Sequence, residues 1–172
     1  RTGLDDNGRL LACLPSENCV STSAIRSPAQ FSPPWSYSPA TNDPKLAFES
    51  LVAALREVAT VQVVDVDSFY VRATAPTTIQ GYRATDLDDV EFKLSPDDEL
   101  VFYRSASREA VFFVPAQNLY EVPLSDGDSN RLRLDSIRRH LKWQTLAPLY
   151  DDDDDDDDPR NYLPLQDSAT AD

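Results

Sequence analysis

Between residues 43 and 60 the apolar positions Phe48, Leu51, Val52, Leu55 and Val58 recur at three- and four-residue spacing, with Glu49, Arg56 and Glu57 off the stripe, which predicts an amphipathic helix. Asp43-Pro44 marks its start, because Asp accepts from the free amides of a first turn and Pro is tolerated at the first helical position. The helix is expected to reach about Ala59, where the period changes to two. β-Branched and aromatic runs broken by short polar turns predict strands at about Val61 to Val66, Phe69 to Ala75, Thr78 to Ala84, Leu87 to Leu94 and Leu100 to Ser107. Connections this short favour an antiparallel meander. A second helix is expected from near Ser129, with Asp128 and Ser129 as cap candidates, to about Trp143 through Leu134, Ile137 and Leu141. The fold class is therefore α+β: an antiparallel sheet of about five strands packed on two helices.

The flanks lack this patterning. Residues 1–42 hold Pro15, Pro28, Pro33, Pro34 and Pro39 and read as an extended Pro-rich N-terminal arm; residues 43–145 form the globular domain, with an insertion near 109–127; residues 146–172 form an acidic C-terminal tail. Within the insertion, Glu109 to Pro115 is apolar enough for an extra strand or a docking segment. Phe31, Trp35 and Tyr37 alternate along the arm, and aromatics placed so anchor it either on the body or in a partner's groove. With Tyr150 and Tyr162 in the tail, they are the candidate partner-docking residues.

Charge narrows the choice of partner. The formal net charge is -14, of which the unbroken run Asp151 to Asp158 supplies eight, and the remaining body is still acidic. Phosphate backbones and anionic membrane surfaces require concentrated Lys and Arg, so neither nucleic acid nor an anionic bilayer is expected, and the Asp run suits a basic protein surface. The longest apolar stretch, about Ala110 to Val114, is far short of the roughly 18 residues of a membrane span. The chain starts at Arg1 and contains no Met, which raises the expectation of a cleaved targeting segment, with simple trimming as the alternative. Cys13 and Cys19 are the only cysteines; in an oxidising compartment they would close a small disulfide loop, and otherwise they would stand as free structural thiols.

Two charged blocks face each other across one predicted hairpin: Asp88-Asp89-Val90-Glu91-Phe92 and Arg104-Ser105-Ala106-Ser107-Arg108. Val90, Phe92 and Leu94 share one strand face. With Leu100 and Phe102 as the inward pair of the next strand, Arg104 also points inward, lies diagonally from Asp88, and forms a bidentate ion pair with it. Such a pair pins strand register, since a one-residue slip would throw acid and base to opposite faces. The competing reading gathers Arg104, Arg108, Asn130 and Arg131 near a helix N-terminus as a site for phosphate or carboxylate.

Catalytic chemistry has few candidates. His140 is the only imidazole, four glycines leave no Gly-rich phosphate loop, and neither zinc-ligand spacing nor a Gly-x-Ser-x-Gly turn occurs. No catalytic, cofactor-binding or metal-binding residue is assigned, and no cofactor is expected. Ser105 and Ser107 would need a base that the spacing does not supply.

The blocks resemble those of domain-of-unknown-function family 1499, found in bacteria and plastid-bearing eukaryotes. Pro15-Ser16-Glu17-Asn18-Cys19-Val20-Ser21 is similar to its Pro-Asn-Cys-Val-Ser-Ser signature, the two charged blocks match its central motifs, and Asp126 with Asn130-Arg131 and Arg133 is similar to its Asp-x-Gly-x-Asn-Arg-x-Arg segment. The resemblance spans about Leu11 to Leu141. Members join the last two motifs by a brief Gly-containing link, whereas this chain inserts about a dozen residues there, places Asp128 where the motif has Gly, and adds the acidic tail. The resemblance implies a non-catalytic accessory subunit docked on a larger plastid assembly. A thylakoid photosystem, photosystem I marginally ahead, is the natural candidate, with the chain stabilising it or its antenna contacts. The protein would lie in the chloroplast, peripheral to the thylakoid membrane, with the stromal or lumenal side open. The alternative is a small anion-binding protein or hydrolase using the Arg104, Arg108 and Arg131 cluster.

Overall fold

A computed structural model describes residues 1–15, 17–57, 61–77, 87–108, 112–113, 122–123 and 129–146. In chain order the elements are β1 (Cys19–Ser21), β2 (Trp35–Ser36), α1 (Pro44–Glu57), β3 (Gln62–Asp67), β4 (Tyr70–Pro76), β5 (Leu87–Ser95), β6 (Leu100–Ser107), β7 (Phe112–Phe113), β8 (Val122–Pro123), α2 (Ser129–Leu141) and β9 (Gln144–Thr145). The architecture is α+β, with an antiparallel sheet of seven strands. Strands β3-β4-β5-β6 form the meander, β1 and β2 share the far edge of β6, and β9 closes on β2. β7 and β8 pair with each other.

Helix α1 starts where its sequence dictates. The Asp43 carboxylate accepts from the amides of Lys45 at 2.8 Å and Leu46 at 3.4 Å, and Pro44 occupies the first helical position. Helix α2 ends with Lys142 in the left-handed region at φ 57°, while the Trp143 amide donates to the Arg138 carbonyl and the Lys142 amide to Arg139. This paired closure turns the chain so that Trp143 drops into the core. The one-sided core joins Leu51 and Leu55 of α1, Leu134 and Ile137 of α2, and Val71, Val90, Phe92, Leu94, Val101 and Tyr103 of the sheet.

The N-terminal segment is woven into this body. β1 pairs Cys19 with Ala106 and Ser21 with Arg104, and β2 pairs Trp35 with Val101. Trp35 and Tyr37, expected to anchor the arm on the body or in a partner's groove, anchor it on the body as core residues at 2% and 0% exposure, with the Trp35 ring 4.4 Å from Tyr103 and 5.8 Å from Phe92. A residue sealed between two layers cannot reach a partner, so the docking role is withdrawn for both. Phe31 is half-buried beside β1, bridged to Ser21. Tyr150, Tyr162, the Asp run, the strand expected at 78–84, most of the 109–127 insertion and the Asp128 cap lie outside the described residues.

Two buried phenols tie sheet to surroundings. Tyr70 donates to Glu91 Oε1 at 2.8 Å, and Tyr103 donates to the Pro33 carbonyl at 2.6 Å while sharing a hydrogen bond with Ser32. Burial, reinforced for Tyr70 by the Glu91 carboxylate, pushes both pKa values up. Above about pH 10 the unfolded chain loses phenolic protons that the native protein keeps, so stability falls as pH rises through that range. In an alkaline titration, phenolate absorbance of these two tyrosines is expected to appear only together with loss of far-ultraviolet dichroism; ionisation of both in the folded protein would contradict their placement.

Candidate functional site

β5 and β6 each expose two faces, and the register decides which charges meet. Phe92 lies opposite Tyr103, Val90 opposite Ser105 and Glu91 opposite Arg104. Val101 and Tyr103 are therefore the inward pair of β6, in place of the expected Leu100 and Phe102, so the expected inward face of this strand is off by one residue. This overturns the Arg104–Asp88 ion pair: Arg104 is on the face away from the helices, whereas Asp88 has the parity of Val90 and Phe92 and lies on the helix face.

On the helix face, Asp88 pairs with Arg133 of α2, whose Nη2 donates to Asp88 Oδ2 at 2.8 Å and to the Pro76 carbonyl at 3.2 Å. Arg133 Nη1 donates to Ser105 Oγ at 3.2 Å and Asn130 Oδ1 at 3.1 Å, and the Ser105 hydroxyl donates to the same Asn130 oxygen at 2.5 Å. The Ser107 amide donates to the Asn18 carbonyl at 3.0 Å, which brings the Cys19 segment to the same place. Residues from all the motif segments thus converge at the start of α2. Asp88 Oδ1, Ser107 Oγ and Asn18 Nδ2 are buried there without a hydrogen-bond partner among the described residues. A carboxylate oxygen, a hydroxyl and an amide donor suit a water or a hydroxyl group, and the carboxylate repels an anion.

On the other face, Arg104 is 1% exposed and Glu91 fully buried. Arg104 Nη1 donates to Glu91 Oε2 at 3.2 Å and to the Arg1 carbonyl at 3.0 Å, and its Nη2 donates to Glu17 Oε2 at 3.0 Å. Glu91 Oε1 accepts from Tyr70 and from the Gly3 amide at 2.5 Å. A guanidinium held by two carboxylates and a carbonyl avoids the penalty of an unpaired buried charge, and it fastens Arg1 and Glu17 over the sheet.

The four residues expected as an anion site have separate partners. Arg104 is held as described, and Arg108 forms a bidentate pair with Asp89 at 2.9 Å for both bonds, which raises its pKa. Asn130 belongs to the Asp88 cluster, and Arg131 donates to the Ala29 and Phe31 carbonyls at 2.6 and 3.1 Å. The anion cluster is therefore not assembled, because each cation is engaged by a carboxylate or a main-chain oxygen of the arm. His140 lies 3.4 Å from the Glu57 carboxylate at the surface, and the Ser105 hydroxyl is held by Asn130 and Arg133. Among the described residues no group of three His, Cys, Asp or Glu side chains could hold a metal, and no helix is long and apolar enough to cross a membrane.

Arg133 is the site residue that sequence reasoning missed. Its signal was present: Asn130, Arg133, Leu134 and Ile137 follow the spacing of one helix face, so an inward Leu134 and Ile137 carry Arg133 with them.

Cys13 and Cys19 are joined in a disulfide. The closed loop contains Glu17, whose carboxylate holds both Arg104 and the Leu14 amide. Replacing both cysteines with serine is expected to lower unfolding free energy by about 2 kcal/mol, since the loop is short, and to speed hydrogen exchange in residues 1–17. Urea denaturation and exchange mass spectrometry check this; an unchanged midpoint with unchanged exchange would mean that β1 pairing alone holds the segment.

These contacts define an α+β scaffold whose motif charges fasten its layers to one another. The chain belongs to the family described as Protein of unknown function (DUF1499), whose sequence model matches residues 9–141, a range that contains all the segments meeting at α2. No curated protein and no solved structure matches the chain.

Proposed function

We propose that this protein is a non-catalytic accessory subunit that docks on a larger assembly, and that a thylakoid photosystem, photosystem I first, is the assembly to test. The observation that carries the reading is the internal engagement of two cations: the buried Arg104 by Glu91 and Glu17, and the part-buried Arg133 by Asp88. Ionic groups committed to fastening layers are unavailable to a substrate, and the chain around them is strongly acidic, with a formal net charge of -14. The Asp151 to Asp158 run suits a basic protein face, and the plastid setting rests on the family resemblance alone.

The test is fractionation of solubilised thylakoid membranes on a density gradient, with an antibody against the chain. Co-migration with a photosystem band, lost after a high-salt wash, supports the reading. Recovery of the chain only as a free monomer overturns it.

A further inference from the structure

We propose that the free edge of β3 is the docking strand, taking an extended segment of a protein partner in which Lys or Arg alternates with apolar residues. This deepens the subunit reading and rests on it. The two ends of the sheet differ in what they offer. β9 is two residues long, whereas β3 is six residues long, contains neither Pro nor Lys, and pairs only with β4 among the described residues. An edge of that length leaves a row of main-chain donors and acceptors available for another strand.

Side-chain placement specifies the occupant. Asp65 lies opposite Arg72 and Asp67 opposite Tyr70, on the face where Arg72 reaches Asp89 and Tyr70 reaches Glu91. Neither Asp65 nor Asp67 enters an ion pair among the described residues. On the helix face Val66 lies opposite buried Val71 yet is 46% exposed, and Val64, the extra residue of a bulge, is 49% exposed. A paired segment would therefore put cations beside the two carboxylates on one face and apolar side chains over Val66 on the other. A second copy of this chain fits poorly, because antiparallel pairing of two β3 edges would bring their carboxylates together on one face.

The probe is a capped hexapeptide of alternating lysine and valine, added to the full chain at low salt. Saturable binding is expected, with slowed amide exchange confined to residues 62–67 and its flanks, about tenfold weaker binding to the variant Asp65→Lys with Asp67→Lys, and none by a glutamate–valine peptide. Val66→Ser provides a second variant that keeps the charges and is expected to weaken binding too; far-ultraviolet dichroism verifies that both variants are folded. Protection elsewhere, binding indifferent to the charge reversal, or β3 protection that grows with the chain's own concentration in place of peptide would overturn the proposal. In the gradient experiment, a charge-reversed chain that still co-migrates with the assembly removes the β3 edge as the docking strand and leaves the subunit reading intact. A wild-type chain that runs alone removes the subunit reading while the peptide result still decides what the edge can bind.

Discussion

Replacing Arg104 with methionine is expected to lower the unfolding free energy by about 3–5 kcal/mol, a large part of the stability of a domain this size. The guanidinium is 1% exposed and bridges Glu91, Glu17 and the Arg1 carbonyl, so its loss leaves the fully buried Glu91 carboxylate without a cation, held by the Tyr70 hydroxyl and the Gly3 amide. Adding Glu91→Leu to that background is expected to recover most of the loss, because removing both charges also removes the cost of keeping one of them dry. Urea denaturation of the two single variants and the double variant measures this directly. Single substitutions costing less than about 1 kcal/mol, with additive effects in the double, would mean that the network is hydrated and contributes little.

Trp35→Ala is expected to cost a comparable about 3–5 kcal/mol, since it empties a site walled by Phe92, Tyr103 and Trp143. The figure separates two roles for the same aromatic. A tryptophan held out toward a partner would cost within about 0.5 kcal/mol of nothing in the isolated chain and act only on binding. The chain has two tryptophans, Trp35 and Trp143, both 2% exposed, so native fluorescence is expected to be blue-shifted and to move to the red when either the wild type or the weakened variant unfolds.

The fold was legible wherever periodicity was long and capped. Asp43-Pro44 and the stripe through Leu51 and Leu55 identify α1, and four of the expected strands correspond to β3, β4, β5 and β6. What escaped the sequence had physical causes. β1 and β2 are three and two residues long, too short to show a period, and they exist because β6 has an edge to pair with. The direction of Arg104 was misread because both alternations along β6 are apolar: Leu100 and Phe102 on one, Val101 and Tyr103 on the other. A pattern that is apolar on both faces signals a sheet covered on both sides, and here the second cover is the aperiodic segment carrying Gly3, Leu10 and Glu17. The ion pairs of the hairpin were thus readable as a class, whereas their partners depended on a one-residue register that only the packed layers fix. Arg133 shows the reverse case, a residue whose inward direction followed from helical spacing and whose role followed from Asp88 sharing the face of Val90.

The most direct test of the claim that these charges fasten a scaffold is a double-mutant cycle on Asp88 and Arg133, using Asp88→Ala and Arg133→Met, with unfolding followed in urea with and without inorganic phosphate at constant ionic strength. A coupling energy of about 1–3 kcal/mol that phosphate leaves unchanged is the predicted result. Additive single effects, or a saturable stabilisation by phosphate that disappears with Arg133→Met, would contradict it and restore a ligand to the junction at the start of α2.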